Sequence, residues 1–148
     1  MAPSPSGAGF ALTLERDYKT TPARLFEAFT SPEKVARWFC PTDDYVCTVH
    51  ELDARVGGRF RFSMKHKGGN VHTASGTYEE VTNPTRLVFS FFWESNPAAG
   101  DSRITVSIAP HGDVTRLHFV QENLATADAR DRNNAGWAGC FEMMTRLF

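Results

Sequence analysis

The sequence predicts an α+β fold in which a curved antiparallel sheet of seven strands wraps around one long C-terminal helix. In one early segment, and in most of the chain between residues 45 and 122, apolar and polar residues alternate with period two, as in half-buried strands. Two short helical segments follow the first strand. From Thr126 onward the apolar period changes to 3.6, which indicates a single long amphipathic helix.

The first strand and the two short helices can be placed from residues 10 to 39. The segment FALTLERDY alternates apolar and polar side chains and predicts a strand. Thr21 followed by Pro22 is a helix start, and Ser31 followed by Pro32 repeats it. Each helix then shows one apolar face, formed by Leu25, Phe26 and Phe29 in the first and by Val35, Trp38 and Phe39 in the second.

Six further strands follow, separated by turn signals at Gly57-Gly58, at Gly68-Gly69-Asn70 and at Asn83-Pro84, and by the later segments NPAAGD and HGD. Gly76 lies inside one strand, where glycine indicates a bulge or the close approach of another chain segment. Such short connections predict an antiparallel meander of the six segments YVCTVHEL, RFRFSMK, HTASGTYEEV, RLVFSFFWE, RITVSIA and VTRLHFVQE.

The last helix carries a continuous apolar stripe at helical spacing, formed by Trp137, Cys140, Phe141, Met144 and Phe148. It is the only late element with an apolar face to cover, so the sheet must wrap around it. Gly136 directly precedes this stripe. We expect Gly136 to let the helix approach the sheet closely. An interior glycine weakens a helix by about 1 kcal/mol relative to Ala, and this cost indicates a packing or cavity role for Gly136 rather than a catalytic one.

Length and composition indicate one domain, residues 10–148, after a leader at residues 1–9 that is rich in Pro, Ser, Gly and Ala and is predicted to be disordered. Sixteen Lys and Arg against seventeen Asp and Glu give a net charge of −1, which argues against a nucleic-acid binder. We find no membrane-spanning stretch and no signal-peptide pattern. Three scattered cysteines indicate reduced thiols, and we expect a cytoplasmic protein.

Motifs for catalysis, metal binding and cofactor binding are not found in the sequence. No nucleophile elbow, P-loop or H-E-x-x-H pattern occurs, and the five His and three Cys lack the close pairing of a zinc site. We therefore predict no catalytic residue, metal or cofactor. Four polar side chains are candidates for the interior, where each needs a hydrogen-bonding partner: His50, His72, Tyr78 and Gln121. Alternation places Gln121 on the face of Leu117 and Phe119, and it places His72 on the face of Tyr78.

Five motifs occur in an order that resembles a known superfamily. They are Pro22-x-x-x-Phe26-x-Ala28-Phe29-Thr30-x-Pro32-Glu33-x-x-x-x-Trp38, Asp53-x-Arg55-x-Gly57-Gly58-x-Phe60, Gly76-x-Tyr78, Pro84-x-Arg86-Leu87 and Gly136-Trp137. The set is similar to the START-like superfamily, which has the helix-grip fold. Within it, the sequence resembles the branch homologous to the C-terminal domain of the activator of the 90-kDa heat-shock-protein ATPase. The resemblance extends from about Phe10 to the last residue given.

The resemblance implies a deep apolar cavity between the sheet and the long helix, because relatives use such a cavity for lipids, polyketides or other hydrophobic small molecules. We therefore expect this protein to bind a small hydrophobic ligand without catalysis. Aromatic side chains and methionines are typical of such sites, but they would fit a filled core as well. The candidate cavity residues are Phe60, Phe62, Met64, Tyr78, Phe89, Phe91, Trp93, Phe119, Gln121, Trp137, Phe141 and Met144.

Two alternatives of a different kind stay open. The chain could be a protein-interaction module similar to the chaperone activator, with the chaperone as its partner. It could also be a small cyclase or hydrolase on the same scaffold that depends on His50, His72 or Tyr78. A homodimer is a further expectation, because Phe148 continues the apolar stripe and a partner subunit could cover it.

Overall fold

The computed structural model describes residues 9–148, so the predicted leader lies outside the described residues except for Gly9. Residues 9–148 contain seven strands: β1 (Phe10–Tyr18), β2 (Tyr45–Leu52), β3 (Arg59–His66), β4 (Val71–Thr82), β5 (Arg86–Trp93), β6 (Asp101–His111) and β7 (Val114–Leu124). Three α-helices accompany them: α1 (Pro22–Thr30), α2 (Pro32–Trp38) and α3 (Ala127–Met144). Short 3₁₀ turns lie at Pro97–Ala99 and Thr145–Leu147. The predicted order of elements is confirmed.

All seven strands belong to one antiparallel sheet in the order β1-β7-β6-β5-β4-β3-β2. The six later strands form the predicted meander, and β1 pairs with β7 at the far edge. The helices α1 and α2 therefore carry the chain from one edge of the sheet to the other. The curved sheet wraps around α3, and the predicted fold class is confirmed.

Each helix begins at a hydroxyl side chain that accepts a hydrogen bond from the helix's first turn. Thr21 Oγ1 accepts from the Arg24 backbone N–H at 3.3 Å, and Ser31 Oγ accepts from the Lys34 N–H at 3.5 Å. Thr126 caps α3 in the same way. These contacts satisfy backbone donors that have no partner inside the helix, and they confirm the helix starts that the sequence predicts.

The core lies between α3 and the concave face of the sheet, and aromatic rings form most of it. The Trp137 ring centroid is 4.8 Å from that of Phe119 on β7 and 5.3 Å from that of Phe91 on β5. Polar groups fix the surrounding elements, since the Tyr18 hydroxyl donates to the Phe141 carbonyl at 2.9 Å. The α3 stripe from Trp137 to Met144 is buried against the strands, as the sequence predicts. Phe148 does not continue it, because α3 ends at Met144 and Phe148 is 38% exposed.

Two glycine predictions have opposite outcomes. A Cβ at Gly76 would collide with the Ser90 carbonyl oxygen and the Phe60 ring, so the predicted close approach on β4 is confirmed. At Gly136 the prediction is wrong, because a Cβ there would have no atom within 4 Å. The close approach of α3 occurs three residues later, where a Cβ on Gly139 would lie 2.5 Å from the Pro41 carbonyl oxygen.

Candidate functional site

A cavity of about 590 Å³ lies between α3 and the adjoining ends of β3, β4 and β5, and we call it the main cavity. Its wall is made of apolar and small residues: Phe39, Met64, Trp93, Ala98, Ala99, Ala129, Gly136, Trp137 and Cys140. Its polar lining residues are Tyr45, His72, Ser95, Asn96, Thr126, Asp128, Arg132 and Asn133. The loop after β5 closes one side of the cavity.

Three aromatic rings, those of Phe39, Trp93 and Trp137, form one wall of the main cavity. The Phe39 ring stacks on Trp93 with centroids 6.3 Å apart, and it also lies 5.7 Å from the Trp137 ring. Both indole N–H groups bond to the protein: Trp93 Nε1 donates to Asn133 Oδ1 at 3.0 Å, and Trp137 Nε1 donates to Gln121 Oε1 at 2.9 Å. Since their polar atoms are already paired, the tryptophans offer the cavity mainly carbon surface.

Gln121 is fully buried and belongs to a closed hydrogen-bond network behind this wall. Besides accepting from Trp137, its Nε2 donates to Ser102 Oγ at 2.9 Å, and Ser102 Oγ donates to the Phe91 carbonyl at 2.9 Å. Each of these contacts has ordinary hydrogen-bond geometry. The role supported by these contacts is to hold Trp137 in place, because the amide oxygen and nitrogen both bind protein atoms.

Polar groups of the main cavity divide into a half-buried pair on the sheet side and an exposed rim. His72 on β4 lies between two rings, with centroid distances of 6.5 Å to Tyr45 and 6.5 Å to Trp93. Across the opening, Arg132 and Asp128 of α3 form an exposed ion pair of 3.0 Å. Because both side chains are exposed, their charges are accessible at the mouth of the main cavity, and a pair of this kind contributes little stability.

Nine of the twelve candidate cavity residues line one or both of two different spaces. Met64, Trp93 and Trp137 line the main cavity. A second void, inside the core, has a volume of only about 20 Å³, roughly the space of one water. The candidates that surround it are Phe60, Phe62, Tyr78, Phe89, Phe91, Phe119 and again Trp137. Gln121, Phe141 and Met144 line neither space.

Several residues of the main cavity are not among the predicted cavity residues. Buried Ala129 and Asn133 lie eight and four residues before Trp137 on α3, so they continue its stripe toward the N-terminus. This spacing was a usable signal, although the surrounding charged residues obscured it. Phe39 and the loop after β5 reach the cavity through contacts that are distant in sequence, which no periodic pattern reports.

His50 is exposed and does not lie in the interior, so its prediction as an interior polar group is wrong. A register shift between Val49 and Glu51 in β2 displaces the residue between them. Its Nε2 lies 2.8 Å from Ser63 Oγ, and Ser63 Oγ lies 2.8 Å from Thr73 Oγ1. Ser63 alternates with inward-facing Phe62 and Met64, so this polar chain belongs to the outer face of the sheet.

The three cysteines are buried and free. Burial raises the pKa of the Cys47 thiol to about 12, and it also raises the pKa of the Cys40 and Cys140 thiols. Reactive thiols need a lowered pKa, so these three are suited to packing rather than nucleophilic chemistry near neutral pH. Among residues 9–148, no group of three or more His, Cys, Asp or Glu side chains is arranged to hold a metal ion. Nor does any helix in that range have the length and apolar character needed to cross a membrane.

Comparisons with known proteins agree with this architecture. Residues 19–148 match the sequence model of the family described as Activator of Hsp90 ATPase homolog 1-like protein. No curated protein matches the chain. Among solved structures, a Chromobacterium violaceum protein is 28% identical, with a TM-score of 0.86 over 93% of this chain and 95% of the other.

Two further solved structures extend the comparison. An AHSA1-like protein from Aeromonas hydrophila is 25% identical and has a TM-score of 0.76, with 93% of this chain and 90% of the other covered. A Mycobacterium smegmatis protein is similar in fold at 19% identity, with a TM-score of 0.81 and the same two coverages, 93% and 90%. The fold is therefore shared with proteins whose sequences differ widely from this one.

Proposed function

The chain belongs to the Activator of Hsp90 ATPase homolog 1-like protein family, and we propose that it binds a small hydrophobic molecule in its main cavity. The single observation that supports this proposal is the cavity itself, with its volume of about 590 Å³ and its aromatic wall. Ligand sites are typically clefts of roughly 300–1,000 Å³ with mainly apolar walls and a few polar groups. The core void of about 20 Å³ is too small for such a ligand.

Gly136 provides a direct test, because it lines the main cavity and leaves open space where a side chain would project. In Gly136→Leu the added side chain would occupy that space. The matched control is Ala135→Leu, which adds bulk at the neighbouring exposed position outside the cavity lining. The readout is the NMR signal of the Trp93 and Trp137 indole N–H groups during titration with naphthalene and, separately, with decanoate.

We expect at least one probe to shift these signals saturably in the native protein and in Ala135→Leu, with affinity reduced at least tenfold in Gly136→Leu. The added leucine side chain takes up space in the main cavity but removes no hydrogen bond. The loss of affinity should therefore apply to any ligand of the main cavity. Absence of saturable binding by both probes would contradict the proposal. So would equal affinity in the two leucine variants.

A second candidate function is interaction with a chaperone, and the description of the family supports it. In that case the protein should raise the ATPase rate of the 90-kDa heat-shock protein, and Gly136→Leu should leave the effect intact. If the function is ligand binding, Gly136→Leu should instead weaken it, because the added side chain is directed at the main cavity. The pair of measurements therefore separates the two functions.

A further inference from the structure

We infer that the ligand of the main cavity is an aromatic molecule carrying a hydroxyl group, and that His72 hydrogen-bonds this hydroxyl. The inference rests on the proposed function and specifies the class of ligand. Two features of the main cavity support it: the polar groups that no protein atom already binds, and the aromatic surfaces around them.

Most polar side chains of the main cavity are already paired or exposed. Buried Asn133 accepts from Trp93 through Oδ1 and donates to the Ala129 carbonyl through Nδ2 at 2.7 Å. The Ser95 hydroxyl accepts from the Thr73 N–H at 3.2 Å, and Thr126 caps α3. The remaining rim residues are exposed to solvent: Asn96, Asp128 and Arg132.

His72 and Tyr45 are the half-buried polar residues that remain. Within residues 9–148, neither side chain takes part in a side-chain hydrogen bond. The neutral imidazole of His72 offers one donor and one acceptor, which complement the acceptor and donor of a hydroxyl group. The Tyr45 ring packs edge-on against the His66 ring, with centroids 4.9 Å apart. It also borders the His72 imidazole on one side, with centroids 6.5 Å apart.

The apolar surface near His72 favours rings over a flexible chain. The Trp93 ring meets the imidazole edge-on, with an interplanar angle of 83°, and Phe39 stacks on Trp93. Aromatic side chains gain more from contact with another ring than buried area alone provides, because edge and face carry opposite partial charges. A ligand ring that bears a hydroxyl would therefore contact the aromatic side chains with its ring and the His72 imidazole with its hydroxyl.

The experiment measures the affinity of the full chain for 2-naphthol and naphthalene, which differ only in the hydroxyl, and for 1-heptanol, an alkyl alcohol. Native protein should bind 2-naphthol about three- to tenfold more tightly than naphthalene, the effect of one neutral hydrogen bond. His72→Phe keeps a ring of similar size and should abolish this ratio. His72→Gln, which keeps a donor and an acceptor, should retain part of it.

His50→Phe is the control, since it makes the same change on the outer face of the sheet and should leave the ratio intact. An unchanged ratio in His72→Phe would overturn the role of His72, and loss of the ratio in Tyr45→Phe alone would assign the hydroxyl to Tyr45 instead. Equal affinity for 1-heptanol and 2-naphthol would overturn the aromatic class. In all three results the proposed function would stand, because naphthalene would still bind. Failure of every probe to bind would overturn both.

Discussion

Two glycines of α3, three residues apart, should respond in opposite ways to the same substitution. Alanine is favoured over glycine in a helix interior by about 1 kcal/mol. At Gly136 a Cβ would have open space around it, so Gly136→Ala should raise the free energy of unfolding by about 0.5–1 kcal/mol. That gain corresponds to an increase in melting temperature of roughly 1–4 °C.

At Gly139 the same gain is opposed by a steric conflict. A Cβ there would lie 2.5 Å from the Pro41 carbonyl oxygen and 3.0 Å from the Pro41 Cα. Both are backbone atoms, so relief requires α3 to move away from the segment that follows α2. Overpacking of this kind typically costs about 1–3 kcal/mol. Because the helix-propensity gain is common to both variants, Gly139→Ala should be less stable than Gly136→Ala by about 1–3 kcal/mol.

Urea unfolding of the native protein and both variants, followed by tryptophan fluorescence and by circular dichroism, measures this difference. Equal slopes of free energy against urea would show that the substitutions leave the denatured state comparable. Two variants of equal stability would refute the close approach of α3 to Pro41. A destabilised Gly136→Ala would refute the open space that the main cavity requires at this position.

Two further substitutions test the buried groups. Gln121→Leu removes the acceptor of the Trp137 N–H and the donor to Ser102, so it should lower the free energy of unfolding by about 1–3 kcal/mol in urea titrations; a neutral effect would contradict the network. Burial raises the pKa of Cys47 to about 12, so its stability contribution is complete below the unfolded thiol's pKa of about 8.5 and declines above it. Between about pH 9 and 11, the free energy of unfolding should therefore fall less steeply with pH in Cys47→Ala than in the native protein, and the two slopes should differ by about 1.4 kcal/mol per pH unit. Equal slopes in the two proteins would contradict the raised pKa of Cys47.

The elements of the fold could be predicted because each is encoded in neighbouring residues. Alternation along β3 already separates Phe60 and Phe62 from Arg61, and the structure buries the two rings while exposing the arginine. Gly76 could be interpreted correctly for a related reason. In a sheet the adjoining strands pass at a known spacing, so a glycine inside a strand indicates crowding by its neighbours.

The candidate site depends on contacts that local patterns do not encode. Whether Gly136 or Gly139 approaches another segment depends on Pro41, about a hundred residues away, so helix periodicity could not distinguish them. The same limit applies to the void inside the core. The pattern shows that Phe89 and Phe119 face inward, whereas the volume left between them depends on how all the rings interlock, and here that volume is about 20 Å³.

The buried amides explain how an apolar cavity can have a fixed shape. An indole N–H in an apolar wall would need a partner from water or from the ligand, but here Gln121 and Asn133 provide it for Trp137 and Trp93. Both amides are themselves held by the protein, through Ser102 and the Ala129 carbonyl. Each ring therefore has a defined orientation, and under the proposed function this orientation is present before a ligand enters. Since ordering of side chains is a main cost of association, a wall prepared in this way lets more of the buried apolar area contribute to affinity.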